Sequence, residues 1–135
     1  MQNYEREIHD LHQFFQDYFL GLIQKTDITR FATCLADGFT IVFSNGNHLS
    51  RTAIIDAVRD GYGQHDNCHI WIENVQLRQH IHEVLIVTYE EWQTLNDVTT
   101  KRMSTVTFLE DSSKPNDLAW LHVHESGLQE VALDS

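Results

Sequence analysis

The sequence predicts an α+β fold, with N-terminal helices packed in a curved antiparallel sheet. Two observations predict it. Over the first 24 positions the apolar residues recur at helical spacing, whereas from position 68 onward four long runs are rich in Val, Ile, Thr and aromatics. The separators between those runs are short and polar, so consecutive strands turn back on one another; parallel neighbours would need long crossovers. With 135 residues and no linker, repeat or low-complexity tract, the expectation is one domain over 1–135. Such a chain buries roughly two-thirds of the surface its unfolded form exposes.

The elements follow in order. From Tyr4 to Gln24 the stripe runs through Tyr4, Ile8, Leu11, Phe15, Tyr18/Phe19 and Leu22/Ile23. A shorter helix is expected after Asp27, whose carboxylate can cap free N–H groups, with Ile28, Phe31, Ala32 and Leu35 inward and Gly38 ending it. "FTIVFSNG" reads as a strand closed by an Asn-Gly turn, with "NHLSR" returning beside it. Ser50 is placed to cap a third helix, "RTAIIDAVRDGYG", ended by Gly61 or Gly63. Then come the strands "CHIWIENVQLRQ", "EVLIVTYEEWQT", "VTTKRMSTVTFLED" and "LAWLHVHESG". In the last of these, plain alternation groups Trp120, His122, His124 and Ser126 against Leu121 and Val123. Both faces therefore carry substantial side chains, and the outer one is expected to meet a second copy, giving a homodimer through the sheet face.

Composition excludes several function classes. A formal charge of −11, with only nine Lys and Arg, is wrong for nucleic acid or an anionic membrane. Cys34 and Cys68 are too few for a disulfide scaffold and read as reduced thiols. The acidic start "MQNYEREIHD" does not resemble a signal peptide, and no apolar run approaches the roughly 20 residues of a membrane helix. A cytoplasmic protein is the expectation.

Helix, short helix, strand pair, helix and four long strands is the order of the nuclear transport factor two-like superfamily, which the chain resembles over nearly its whole length. The tail "RMSTVTFLEDSSKPNDLAWLHVHESG" resembles the end of the association domain of calcium/calmodulin-dependent protein kinase II and its small bacterial relatives. There a Thr-bearing strand, a hairpin and a Trp-led strand with one or two His and a final Ser-Gly follow one another. Ketosteroid isomerases and SnoaL-like polyketide cyclases are similar in fold. The resemblance implies a cone in which the bent sheet wraps the first helix, and dimerisation through the outer sheet face.

Four chemistries compete. His80-x-His82 and His122-x-His124 have metal-ligand spacing, but no carboxylate or further histidine is placed to complete a site, so no metal and no cofactor is expected. Isomerase chemistry needs a tyrosine, a carboxylate base and a second acid. Tyr18 stands where the isomerases' tyrosine would be, but Phe43-Ser44 occupies the base position and Met103, Thr105 and Thr107 the region of the second acid. A small-molecule pocket is the third reading, lined by Trp71, Tyr89, Trp92 and Arg102. Arg102 alternatively makes a cross-strand pair with Glu90 or Glu91. The fourth is an association module without catalytic activity, although Thr88 and Val106 fall where the kinase association pocket would have arginines. Glu90-Glu91 and Glu110-Asp111 read as solvated acidic pairs, while Glu125 either salt-bridges across the sheet or enters a pocket. The expectation is a homodimer binding a small organic molecule in its cone. If it is an enzyme, His124 is the candidate acid or base, with Tyr18 and Arg102 holding an oxygen.

Overall fold

Helix α1 (Asn3–Phe19) buries Ile8, Leu11, Phe14 and Tyr18 along its stripe, and carries Glu7 and His12 into the interior beside them. A computed structural model describes residues 1–132. The helix stops short of the expected Gln24 because Gly21 takes a left-handed φ of +72°. There the amide of Leu22 donates to Asp17 O at 2.9 Å and that of Gly21 to Tyr18 O at 3.0 Å, a Schellman closure that leaves Leu22 exposed.

A 3-10 turn, Lys25–Ile28, leads into α2 (Thr29–Cys34). The Asp27 carboxylate accepts from the amide of Gln24 at 2.9 Å, so it caps this turn from within rather than starting the helix that follows. Gly38 likewise ends no helix. The backbone is already extended at Leu35, and β1 (Leu35–Val42) includes Gly38 where its register with the last strand shifts. Strand β2 (His48–Ser50) returns antiparallel after a turn with Gly46 at φ +87°. Ser50 Oγ then accepts from the amide of Ala53 at 3.3 Å and opens α3 (Arg51–Asp60).

Strands β3 (Cys68–Ile81), β4 (Val84–Leu95), β5 (Val98–Glu110) and β6 (Leu118–Val131) form the expected antiparallel meander. The six strands lie in the order β2-β1-β6-β5-β4-β3, a curved, open sheet in which β1 runs parallel to β6. Its concave face packs on the helices through Leu85, Val87, Val106, Phe108 and Trp120. Large side chains buried this completely contribute about 1.5–3 kcal/mol each.

One feature of β6 corrects the simple alternation. Phe108 pairs with Trp120 and Thr107 with His122, so Leu121 is an extra residue, a β-bulge. Parity changes across it. Trp120, 2% exposed, points inward together with Val123 and Glu125, while His122 and His124 lie on the outer face.

The Trp120 indole donates to Glu7 Oε2 at 2.8 Å. Arg30 reaches both oxygens of that carboxylate, at 2.9 and 3.3 Å, and Asn116 Nδ2 donates to it at 3.0 Å. Glu7, wholly buried, thereby fastens α1 to α2, to the β5–β6 connection and to the sheet, with both oxygens supplied with donors. Beside it, burial and Glu7 push the Cys34 thiol up to about 12. Both Cys34 and Cys68 are free and buried. Among the described residues no helix is long and apolar enough to cross a membrane.

Candidate functional site: a buried chain of charges in an apolar cone

Between the concave face and the helices lies a cavity of about 160 Å³. Phe15, Phe31, Phe39, Phe43, Ile54 and Val123 supply apolar wall, and His12, Tyr89, Glu91, Arg102 and Glu125 supply polar groups. The sheet register explains the convergence. Glu91 continues the inward parity of Leu85, Val87 and Tyr89 on β4. Arg102 stands opposite it on β5, and Ser104, two residues further along the same face, stands opposite Glu125 of β6. Helix α1 lays His12 over them, one turn beyond Ile8.

These side chains form a line. His12 Nδ1 lies 2.8 Å from Ile8 O, and His12 Nε2 lies 2.8 Å from Glu91 Oε1. Arg102 Nη2 donates to the other Glu91 oxygen, and Arg102 Nε lies 3.3 Å from Glu125 Oε2. Burial works against a charge on Glu91, but His12 and Arg102 outweigh it and hold its carboxyl down at about 2. Glu91 is thus an ionised acceptor, and the Ile8 carbonyl is an acceptor too. The result is a line of imidazole, carboxylate, guanidinium and carboxyl running into the cavity.

Its last member differs from the rest. Glu125 is 7% exposed yet accepts no hydrogen bond among the described residues, and the fully buried atoms left without partners beside it are Arg102 Nε, at ion-pair distance without hydrogen-bond alignment, and Ser104 Oγ. Burial raises its pKa and Glu91 adds to the rise, against the opposing pull of Arg102 and His12. Burial also pushes the Tyr89 hydroxyl far up, helped by Glu91 and Glu125, so it faces the same space as a neutral phenol. Two carboxyls held by one arginine are therefore driven apart, one fixed as an anion and one able to take a proton.

The sequence matches the family described as sucrose-6-phosphate phosphohydrolase C-terminal over residues 5–129. The chain belongs to that family. No curated protein matches it. Among solved structures, this family member is similar to a nuclear transport factor two-like protein of unknown function from Pseudomonas aeruginosa. The TM-score is 0.84 and the identity 26%, covering 92% of this chain and 97% of that one. It is also similar to the calcium/calmodulin-dependent protein kinase II hub of S. rosetta, with TM-score 0.61 and 18% identity over 76% and 86% of the two chains. A protein assigned to the association domain of that kinase, from Thiobacillus denitrificans, gives 0.60 and 16% over 85% and 93%. At those identities the hub and the association domain speak to fold alone. The fold is the cone-shaped nuclear transport factor two-like one.

Within this sucrose-6-phosphate phosphohydrolase C-terminal domain fold, the residues singled out from sequence separate into two groups. Tyr89 and Arg102 line the cavity. Tyr18, Trp71, Trp92 and His124 do not. Tyr18 is buried between helices, its hydroxyl donating to Lys25 O at 2.9 Å. Trp71 and Trp92 face each other on the outer side of the sheet, ring centroids 5.6 Å apart, with Lys101 Nζ 5.3 Å from the Trp92 ring. His124 is exposed on that same side, 6.4 Å from His122, because the bulge at Leu121 turns both outward. His80 pairs with Glu110 at 2.6 Å on the surface. Among the described residues no three His, Cys, Asp or Glu side chains converge as metal ligands.

Two members of the line need correction or addition. Glu91 is not half of a solvated acidic pair: it is 7% exposed and is the partner of Arg102. Strict alternation from Tyr89 was the signal that marks it. His12 was not singled out, although it sits one residue after Leu11 and four after Ile8 on the apolar stripe.

Proposed function

We propose that this domain binds a small organic molecule in its cone and acts as a homodimer joined through the outer face of the sheet. The observation that carries the binding reading is Glu125, a carboxyl buried without a hydrogen bond at the end of a charged line in an otherwise apolar cavity. Burying ions costs several kcal/mol each, and apolar side chains of similar volume stabilise a core as well or better. A buried line of this kind is a candidate for recognition rather than for stability. Glu7 is the internal contrast, since its carboxylate is saturated by Arg30, Asn116 and Trp120 and offers nothing to a ligand. In this reading Glu125, and not His124, is the titrating group that meets the bound molecule, with Arg102 and Tyr89 beside it.

The test is calorimetry with small apolar compounds carrying one polar head, on the native protein and on Val123→Phe, which fills the cavity. Binding in the first and none in the second is the expected result. Equal binding to both sinks the cavity reading. The outer face supports the dimer: Trp71, Trp92, Thr105, Thr107 and His122 lie there half-buried in a single chain. The alternative is an association module with no ligand, favoured by the likeness to a kinase hub and an association domain. A large ring in light scattering with no calorimetric response to any compound supports that alternative.

A further inference from the structure

We infer that the molecule held in the cone is a small apolar amine, whose ammonium head pairs with Glu125 and whose body lies among Phe15, Phe39, Phe43 and Trp120. The inference rests on the cavity reading and specifies the head group.

It begins with what Glu125 lacks. The other two buried glutamates meet N–H donors at both oxygens, Glu7 from Arg30, Asn116 and Trp120, and Glu91 from His12 and Arg102. Glu125 has a cation at 3.3 Å and no donor aligned with it. A buried carboxylate without donors is costly, and a group that brings N–H bonds and positive charge removes that cost. The line already alternates His12, Glu91, Arg102, Glu125; a cation is the next term.

Other heads fit worse. An anionic head would meet Glu125 with Glu91 behind it, both carboxyls facing the same cavity. A neutral hydroxyl supplies one hydrogen and no positive charge. An ammonium supplies three hydrogens, and aromatic walls favour it further because ring faces attract cations. Entry of an ammonium as Glu125 gives up a proton leaves the net charge of the cavity unchanged. At longer range the chain's formal charge of −11 draws cations toward it. Volume limits the body. The cavity of about 160 Å³ is on the scale of the roughly 150 Å³ engineered cavity that admits a benzene ring.

The groups facing Glu125 are Arg102 on β5, Tyr89 and Glu91 on β4, and His12 on α1. Glu91 stays ionised until pH nears its lowered value of about 2 and Tyr89 stays neutral throughout, so loss of amine binding on mild acidification reports Glu125.

The experiment titrates benzylamine, benzyl alcohol and benzoate, which share a ring and differ in the head, into the native protein at neutral pH by calorimetry. Benzylamine is expected to bind at least about tenfold more tightly than benzyl alcohol, the scale of one hydrogen bond to a charged group, with benzoate weakest. Glu125→Gln is expected to abolish the preference for benzylamine over benzyl alcohol, and His124→Ala, on the outer face, to leave that preference unchanged. If Glu125→Gln does not fold, the preference in the native protein, and its loss as pH falls, still decide the matter. Equal binding of amine and alcohol overturns the amine inference and leaves the cavity reading standing. Binding of none of the three overturns both.

Discussion

Arg102 stands directly across the β4–β5 ladder from Glu91, and its guanidinium also reaches Glu125 on β6, the strand on its other side. One side chain thus spans three strands at the floor of the cone. Its removal leaves two carboxyls buried side by side.

Arg102→Met is therefore expected to cost about 3 kcal/mol, the scale for breaking a buried ion pair from one side. Adding Glu125→Gln should recover part of that loss, because the second carboxyl no longer needs a counter-charge. Urea unfolding of the single and double variants measures it. A double variant less stable than Arg102→Met contradicts the pairing.

The two carboxyls predict a stability profile with two limbs of opposite sign. Glu125 has a raised pKa, so the folded state binds its proton more readily than the unfolded chain, and stability rises as pH falls through that raised value. Glu91 is held at about 2 against an ordinary 4.5. Its contribution, on the order of 3 kcal/mol, is complete above the ordinary value and disappears as pH drops from there toward 2. Unfolding free energies across the acid range should show a shoulder followed by a fall. Glu125→Gln removes the shoulder, and Glu91→Gln flattens the fall.

Trp120→Phe keeps a ring in the core but withdraws the indole hydrogen from Glu7. A loss of about 1–3 kcal/mol is expected, part of it the unmade hydrogen bond to a buried charge. His122→Ala, on the far side of the same strand, should stay within roughly 0.5 kcal/mol in the monomer. Equal losses in thermal or urea unfolding contradict the face assignment made by the bulge.

Trp92→Glu places a charge where Trp71 and Trp92 stack on the outer face. If that face joins two copies, the dimer mass falls to that of one chain without loss of far-ultraviolet ellipticity. Light scattering beside circular dichroism checks it.

The thiol of Cys34, pushed up to about 12 by burial and Glu7, should resist alkylation in the native protein at mildly alkaline pH. It should react at once after unfolding in urea, as counted by mass spectrometry. Rapid native labelling contradicts the burial.

The four meander strands were legible because each is a long β-rich run bounded by polar separators, and such runs have few other folds open to them. The end of α1 was not, since Leu22 and Ile23 continue the apolar stripe while Gly21 between them and Tyr18 closes the helix. Glu91 was legible in principle from alternation and was obscured by its neighbour Glu90. The direction of Glu125 was beyond pattern, because it depends on the extra residue at Leu121, which only the pairing of β5 with β6 reveals. Nor does any local pattern bring His12 to Glu91, 79 positions away in the chain.

Leu121 works as a phase shift in the final strand. Before it, the strand is in step with α1 and delivers Trp120 to Glu7; after it, the strand is in step with the cavity and delivers Glu125 to Arg102. Were that residue to take a regular place in the ladder instead of bulging, one rhythm would run through both halves and send His122 and His124 inward or Trp120 outward. The contents of the cone are thus set by the length of the closing strand as much as by its letters.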